Sequence, residues 1–185
     1  MKAEIEVGTA ARMRDLGREL AGLLHAGDIV ILSGPLGAGK TTLTQGIGDG
    51  LRVRGPVTSP TFVIARVHPP LPPGTAPGPA GREPSASRLP LVHVDAYRLG
   101  STLELDDLDL DTDVEDAVTV VEWGEGLAEG LAPDRLEISI TRRDPAGNER
   151  SEPDLSDQPR TVRITGTGPR WQDIRMTRAE VGDRL

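Results

Sequence analysis

The sequence predicts an α/β fold, in which a mainly parallel central sheet is flanked by helices and an antiparallel edge hairpin lies near the C-terminus. Three observations support this prediction: apolar runs rich in Val and Ile recur along the chain, an amphipathic helical pattern precedes the most apolar run, and a glycine-rich turn follows it. Aromatic residues make up only 2% of the 185 residues, so Val, Ile, Leu and Ala must build the core.

The N-terminal segment predicts a strand followed by an amphipathic helix. Ala3, Ile5 and Val7 alternate with charged residues, as in a strand with one buried face. Thr9 can cap the helix that follows, in which apolar residues recur at helical spacing over Met13–Leu24.

The next unit predicts a buried strand and a second helix. The run DIVILS, Asp28–Ser33, is apolar on both faces, which is typical of a central parallel strand. Leu43, Ile47 and Leu51 then recur every four residues, as on one face of a helix. Three glycines in this helix each weaken it by about 1 kcal/mol relative to alanine, which indicates close packing or an early end. They are Gly46, Gly48 and Gly50.

Two further strands are predicted at Pro60–Val67 and Leu89–Tyr97, joined by a long loop over His68–Arg88. The loop is rich in Pro, Gly, Ala and Ser, so it buries too little surface to offset its ordering entropy and we expect it to be mobile.

The acidic segment that begins at Ser101 predicts a short helix, which leads into a strand at Val118–Trp123. The segments Arg135–Thr141 and Arg160–Thr165 predict an antiparallel pair at a sheet edge, because a turn-rich stretch separates them.

Length, charge and residue usage restrict the class of protein. We assign one domain to residues 1–166, including the 68–88 insertion, and leave 167–185 as a tail without assigned order.

The net charge of −8 argues against unaided binding to DNA or RNA. Cysteine is absent, which excludes disulfides and thiolate metal sites. No apolar run approaches the roughly 18 residues of a membrane span, and no signal peptide is recognisable, so we expect a cytoplasmic protein without a membrane partner.

Residues Gly34–Thr41 read GPLGAGKT, a full match to the phosphate-binding pattern GxxxxGK[ST], between the buried strand and a helix start. The glycines allow a tight loop with inward N–H groups, and the helix N-terminus adds partial positive charge. Lys40 would reach the β and γ phosphates, and the Thr41 hydroxyl would ligate Mg²⁺. The alternative is an ordinary glycine-rich turn with a surface lysine.

Two carboxylates and one hydroxyl-rich segment are candidates to complete this site. Asp95 ends the predicted strand LVHVD and is a second metal anchor or only a helix cap. Glu122 ends VTVVE and either orients a water or contacts the nucleotide, or is a solvated side chain beside a core Trp. The segment Thr58–Phe62, TSPTF, is a switch that senses the γ-phosphate or a simple turn.

Other features are interpreted as structural. The acidic run Asp107–Asp113 lacks the glycine and distant Glu of a calcium loop, so we take it as solvated or facing a partner. His25, His68 and His93 lack metal-ligand spacing and are taken as structural or exposed. The segment TRRD from Thr141 is taken as the start of a hairpin.

Four elements occur in order along the chain: GPLGAGKTT, SPTF, HVDAYRL and VVEWGEGL. Together they closely resemble the bacterial tRNA threonylcarbamoyladenosine biosynthesis ATPase family, TsaE (also called YjeE), over roughly Glu4–Ile140. The resemblance implies a P-loop NTPase fold that binds ATP and Mg²⁺ and hydrolyses ATP slowly when alone. It also implies TsaB and TsaD partners, which support N6-threonylcarbamoyladenosine (t6A) formation at tRNA position 37, with tRNA reached only through the partners.

The resemblance assigns residues to the site position by position. Those that contact the nucleotide are Thr9, Gly37, Ala38, Gly39, Lys40, Thr41, Thr42 and Glu122. Mg²⁺ is expected at Thr41 and Asp95. The catalytic set is Lys40, Asp95 and Glu122. The switch-like residues are Ser59 and Thr61. The resemblance also selects adenine, which the residues alone do not distinguish from guanine.

Two alternative functions use the same motifs. A small-molecule kinase would share the phosphate loop and carboxylates, but it needs a structured lid with arginines, and the long insertion here is rich in Pro and Gly. A nucleotide-gated assembly module would bind ATP without requiring hydrolysis.

Overall fold

The computed structural model describes residues 1–72, 88–102, 104, 115–142, 159–172 and 174. These residues form seven strands and two α-helices. The strands are β1 Lys2–Val7, β2 Ile29–Ser33, β3 Ala65–His68, β4 Leu91–Asp95, β5 Val118–Glu122, β6 Arg135–Arg142 and β7 Arg160–Thr167. The helices are α1 Ala10–Ala21 and α2 Lys40–Leu51. All seven strands join one sheet in the order β1-β7-β6-β2-β5-β4-β3.

The predicted α/β class is confirmed, but the prediction of a mainly parallel sheet is wrong, because three of the six strand pairings among the described residues are antiparallel. Strands β6, β2, β5 and β4 run parallel, whereas β1–β7, β6–β7 and β3–β4 are antiparallel pairs. The antiparallel pairing of β6 with β7 is as predicted. Its position at a sheet edge is wrong, because β1 pairs with β7 and sets Ile5 opposite Val162.

Three predicted strands are longer than the observed ones. The segment Pro60–Ile64 is a turn, since the Pro60 carbonyl accepts hydrogen bonds from the Val63 and Ile64 N–H groups. Strand β4 stops at Asp95, whose side chain caps a 3₁₀ turn over Ala96–Arg98. Strand β5 stops at Glu122, because Trp123 takes a positive φ of 62°.

The two helices pack directly on each other. The Thr9 hydroxyl accepts a hydrogen bond from the Arg12 N–H and caps α1, as predicted. A Cβ at Gly17 of α1 would lie 2.7 Å from the Gly46 Cα atom of α2, so only glycine permits this approach. Helix α2 therefore continues to Leu51, and its glycines serve close packing rather than an early end.

The sheet buries apolar side chains on both faces. Along β2, Val30 and Leu32 join the cluster beneath the helices, whereas Ile29 and Ile31 join a cluster on the opposite face. Trp171, in the segment to which the sequence assigned no order, is fully buried in the first cluster.

Several predictions fall on residues outside the described ones. These are most of the acidic segment, including Asp107–Asp113, the insertion over 73–87, the turn over 143–158 and the tail from 175 onward. His68 was assigned to the insertion, but it is the buried last residue of β3. Among the described residues, no helix combines the length and apolar character needed to cross a membrane.

Candidate functional site

The carboxyl ends of three parallel strands meet at one edge of the sheet. Strands β2, β5 and β4 are neighbours there, and the register places Leu32 beside Glu122 and Glu122 beside Asp95. The two carboxylates predicted from strand ends are therefore one strand apart, about 4.8 Å between backbones. Both are buried, which disagrees with the alternative that Glu122 is a solvated side chain.

The loop between β2 and α2 is tight and depends on glycine. Gly34, Gly37 and Gly39 all have positive φ, at 138°, 70° and 112°. A Cβ at Gly34 would collide with the Ile140 carbonyl of β6, so the loop lies against the neighbouring strand. This is the compact backbone that the glycine pattern predicted.

Helix α2 presents its N-terminus to the loop. It begins at Lys40, its N-cap Gly39 has no side chain to cap it, and its first turn carries no acidic residue. The N–H groups of a first helical turn have no partner within the helix, and the helix dipole adds partial positive charge. This end of α2 is therefore suited to hold an anion.

Lys40 is a buried cation, with only 5% of its surface exposed. Its Nζ atom donates hydrogen bonds to the Gly34 carbonyl at 2.8 Å and the Pro35 carbonyl at 3.1 Å. The same atom lies 3.4 Å from the centroid of the Trp123 ring, a cation–π contact.

Burial lowers the pKa of the Lys40 ammonium below its ordinary value. The Glu122 and Asp95 carboxylates oppose this shift in pKa, and the Arg142 charge adds to it. The groups in direct contact with Lys40 are two carbonyls and a ring, so its ammonium makes no ion pair with a carboxylate among the described residues.

Glu122 links three elements of the site. Its Oε2 atom accepts a hydrogen bond from the Thr41 hydroxyl at 2.9 Å. Its Oε1 atom lies 2.8 Å from His93 Nε2 and 3.5 Å from the Thr44 hydroxyl. The carboxylate is thus fixed between β4 and the first turns of α2.

Asp95 both caps a turn and holds the hydroxyl-rich segment, so the two interpretations of this residue are compatible. Its Oδ1 atom accepts a hydrogen bond from the Tyr97 N–H at 3.1 Å. Its Oδ2 atom accepts from the Ser59 hydroxyl at 2.8 Å and the Thr61 hydroxyl at 2.6 Å. The predicted switch-like pair therefore contacts the predicted metal anchor directly.

The segment that carries this pair is strained and exposed. Ile64 takes a φ of 65°, which is unfavourable for a β-branched residue. Its carbonyl nevertheless accepts a hydrogen bond from the Asp95 N–H at 2.8 Å. Phe62, which lies between Thr61 and Ile64 in the chain, is 91% exposed.

The oxygen groups of this site suit Mg²⁺ better than they suit a metal that takes all its ligands from the protein. The described residues contain no group of three or more His, Asp or Glu side chains that could enclose a metal. Mg²⁺ does not need one, because it is commonly bound by one or two carboxylates together with water and phosphate oxygens. Asp95 and the Thr41 hydroxyl are the oxygen groups of this site that would serve as ligands to such an ion.

Three residues beside the site were not assigned to it from the sequence. Arg142 donates a hydrogen bond from Nη2 to the Leu36 carbonyl of the loop. Trp123 stacks under Lys40, and His93 contacts Glu122. His93 and Asp95 are two residues apart in one strand, so both lie on the same face of the sheet. This spacing could have identified His93 as a residue of the site.

The structure brings Lys40, Thr41, Asp95 and Glu122 together, with Ser59 and Thr61 on Asp95. Thr9 lies one turn before Met13, whose side chain packs beside Gly39. Contacts of Thr9 and of the loop residues with a nucleotide stay predictions. The same holds for the roles assigned to Gly37, Ala38 and Thr42.

Comparisons with known proteins agree on one family. The family model described as "Threonylcarbamoyl adenosine biosynthesis protein TsaE" matches residues 7–151. A protein of Streptomyces coelicolor named tRNA threonylcarbamoyladenosine biosynthesis protein TsaE is 56% identical over 86% of this chain and 93% of its own length. A Bacillus subtilis protein of the same name is 35% identical over 82% of this chain and 78% of its own. A crystal structure of Bacillus subtilis YdiB superposes with a TM-score of 0.62 at 28% identity, covering 92% of this chain and 89% of that one.

Proposed function

Because this chain belongs to the TsaE family and has a role in tRNA threonylcarbamoyladenosine biosynthesis, we propose that it is the Mg²⁺-dependent ATPase subunit of that pathway. It would bind ATP in the Gly34–Thr41 loop and hydrolyse it slowly when alone. Together with TsaB-type and TsaD-type partners it would support t6A formation at tRNA position 37. Its site of action would be the cytoplasm.

One observation carries this proposal: a buried lysine, a helix N-terminus and two buried carboxylates converge on a single glycine-rich loop. A triphosphate needs positive charge and N–H donors, and its metal needs oxygen ligands. Lys40 and α2 offer the first, and Thr41 and Asp95 offer the second. A P-loop NTPase fold accounts for helix α2 and these three residues in one arrangement.

Each residue has a role that its contacts support. Lys40 would exchange the Gly34 and Pro35 carbonyl groups for phosphate oxygens, gaining charge-assisted hydrogen bonds. Mg²⁺, when bound, neutralises charge on the phosphates. Glu122 accepts a hydrogen bond from the Thr41 hydroxyl, which leaves the lone pairs of the Thr41 oxygen free for a cation.

The family and the net charge both support the proposed partners. A net charge of −8 is unfavourable for direct contact with tRNA. We therefore propose that TsaB-type and TsaD-type proteins hold the tRNA, and that this chain acts on the assembly through its nucleotide state.

Calorimetric titration with ATP, GTP, ADP and GDP, each with and without Mg²⁺, tests the proposed ligand. We expect ATP and ADP to bind and the guanine nucleotides to bind more weakly. Absence of binding by all four nucleotides would refute the proposal.

Phosphate release, measured alone and with the partner proteins, tests the proposed activity. We expect slow release alone and faster release with the partners. Unchanged release with partners would favour a nucleotide-gated module, and phosphate recovered on an acceptor would favour a kinase.

A further inference from the structure

His93 lies in the middle of β4 and is completely buried, yet it contacts the site. Its Nε2 atom is 2.8 Å from Glu122 Oε1. The other candidate donor to this oxygen, the Thr44 hydroxyl, is 3.5 Å away and also donates to the Lys40 carbonyl at 3.0 Å. His93 therefore provides the short contact to Oε1.

The two oxygens of Glu122 have different neighbours. Oε1 faces His93 on β4, whereas Oε2 accepts a hydrogen bond from the Thr41 hydroxyl on α2. Fixing one oxygen of a planar carboxylate fixes the direction of the other. The orientation of the Thr41 hydroxyl thus depends on the contact made by the histidine.

Hydrogen-bond accounting assigns the histidine tautomer. A carboxylate oxygen only accepts, so Nε2 must carry the proton. The Nδ1 atom is buried and has no hydrogen-bond partner among the described residues. An unprotonated Nδ1 avoids leaving a buried N–H without an acceptor, which is unfavourable.

We propose that His93 is a positioning residue whose Nε2–H holds Glu122, so that Glu122 directs the Thr41 oxygen toward Mg²⁺. This rests on the proposed function, because Thr41 is a metal ligand only if the site binds Mg²⁺ with a nucleotide. His93 does not touch the nucleotide in this scheme. Its loss should therefore reduce the gain in ATP affinity from Mg²⁺ more than it reduces ATP affinity in the absence of Mg²⁺.

A matched pair of variants separates this role from simple core packing. Gln and Met have similar length and volume, and Gln alone keeps an N–H donor at the reach of Nε2. His93→Gln should therefore preserve the contact with Glu122, and His93→Met should remove it.

The experiment measures ATP affinity by calorimetry with Mg²⁺ and with EDTA for the wild type, His93→Gln and His93→Met. In His93→Met we expect the gain in affinity from Mg²⁺ to fall about tenfold, as when partners of metal ligands are removed. Affinity in EDTA should be unchanged, and His93→Gln should keep most of the gain. The rate of Mg²⁺-dependent phosphate release should fall in parallel in His93→Met.

Two results would overturn the inference while leaving the proposed function intact. One is a folded His93→Met variant with the wild-type gain from Mg²⁺. The other is a loss of ATP affinity that is the same in His93→Gln and His93→Met and the same with Mg²⁺ and with EDTA. That result would show that His93 only packs in the core. Failure of the wild type itself to bind ATP would instead refute the proposed function, and the inference with it.

A measurement on the wild type covers the case in which His93→Met does not fold. Nitrogen chemical shifts of the imidazole distinguish the two neutral tautomers in solution. We expect the proton of His93 on Nε2. A proton on Nδ1 alone would exclude donation to Glu122 and overturn the inference.

Discussion

The two ends of the sheet are built on different principles. At one end β1, β7 and β6 set buried apolar residues side by side, with Ile5 beside Val162 and Val162 beside Ile140. At the other end β3 has only four residues, and the segment before it exposes Phe62 and Val63.

The bonds at the second end are polar and converge on Asp95. Ser59 and Thr61 hold its carboxylate, and the strained Ile64 accepts from its N–H. Apolar pairing provides stability that does not depend on a ligand, whereas hydroxyl contacts to a buried carboxylate can be exchanged for a cation. From this difference we predict that changes at the first end affect mainly stability and changes at the second end affect mainly ligand binding.

The largest expected effect is a loss of stability at the first end. Ile164→Ala in β7 removes a fully buried side chain from the core and should lower the free energy of unfolding by about 2–5 kcal/mol. Arg163→Ala, an exposed neighbour that pairs with Glu4, should cost at most about 1 kcal/mol. Urea unfolding measures both, and nucleotide affinity of the folded Ile164→Ala variant should be unchanged. Equal losses for the two variants would contradict this division.

Lys40→Met should have the opposite effects: weaker nucleotide binding without a loss of stability. Loss of charge-assisted hydrogen bonds to phosphate should weaken ATP binding about 100-fold, roughly 3 kcal/mol. Because burial lowers the pKa of Lys40, its charge is less favourable in the folded protein than in water, and its removal should not lower stability.

Calorimetry and thermal unfolding test these two expectations for Lys40→Met. The other lysine of the chain, the exposed Lys2, supplies the control Lys2→Met. Wild-type affinity in Lys40→Met would exclude the proposed role of Lys40.

Asp95→Asn probes the polar end of the sheet more finely. The amide still accepts hydrogen bonds but lacks the negative charge that attracts a cation. We expect the gain in ATP affinity from Mg²⁺ to fall about tenfold, or ~1.4 kcal/mol, with a smaller change in EDTA. The control is Asp49→Asn, a surface carboxylate paired with Arg18. Equal losses with and without Mg²⁺ would argue against metal binding by Asp95.

The smallest expected effect is a pH dependence at the end of β3. Burial lowers the pKa of His68, and the neighbouring His93 and Arg66 lower it further. The stability associated with neutral His68 is therefore fully present above about pH 6.5 and is lost as the pH falls toward its folded pKa.

Comparison of unfolding free energies at pH 7.5 and 5.5 tests this expectation. The decrease should be smaller in His68→Gln than in the wild type, and the control His25→Gln should behave like the wild type. The same decrease in all three proteins would show that His68 does not contribute.

Local sequence predicted the parts of the fold and site that depend on neighbouring residues. The Gly34–Thr41 loop, the Thr9 cap and the strand-end carboxylates were placed correctly because each is specified within a few residues. The start of β3 and the end of β5 were missed because they depend on positive φ at Ile64 and Trp123, which is unusual for such residues.

Long-range pairing was beyond the local patterns. Nothing near β1 indicates that it pairs with β7, more than 150 residues away in the chain. The contact of His93 with Glu122 likewise appears only when the register of β4 and β5 is known. Trp171 was also missed, because one aromatic residue in a polar segment gives no periodic signal.

The close approach of Gly17 and Gly46 restricts how this sequence can drift over time. A methyl group on either glycine would meet the backbone of the other helix, so no side-chain rearrangement can make room for it. A second substitution elsewhere cannot rescue the first without moving one helix away from its neighbour. Descendants of this chain should therefore vary freely on the outer faces of both helices while keeping glycine at positions 17 and 46.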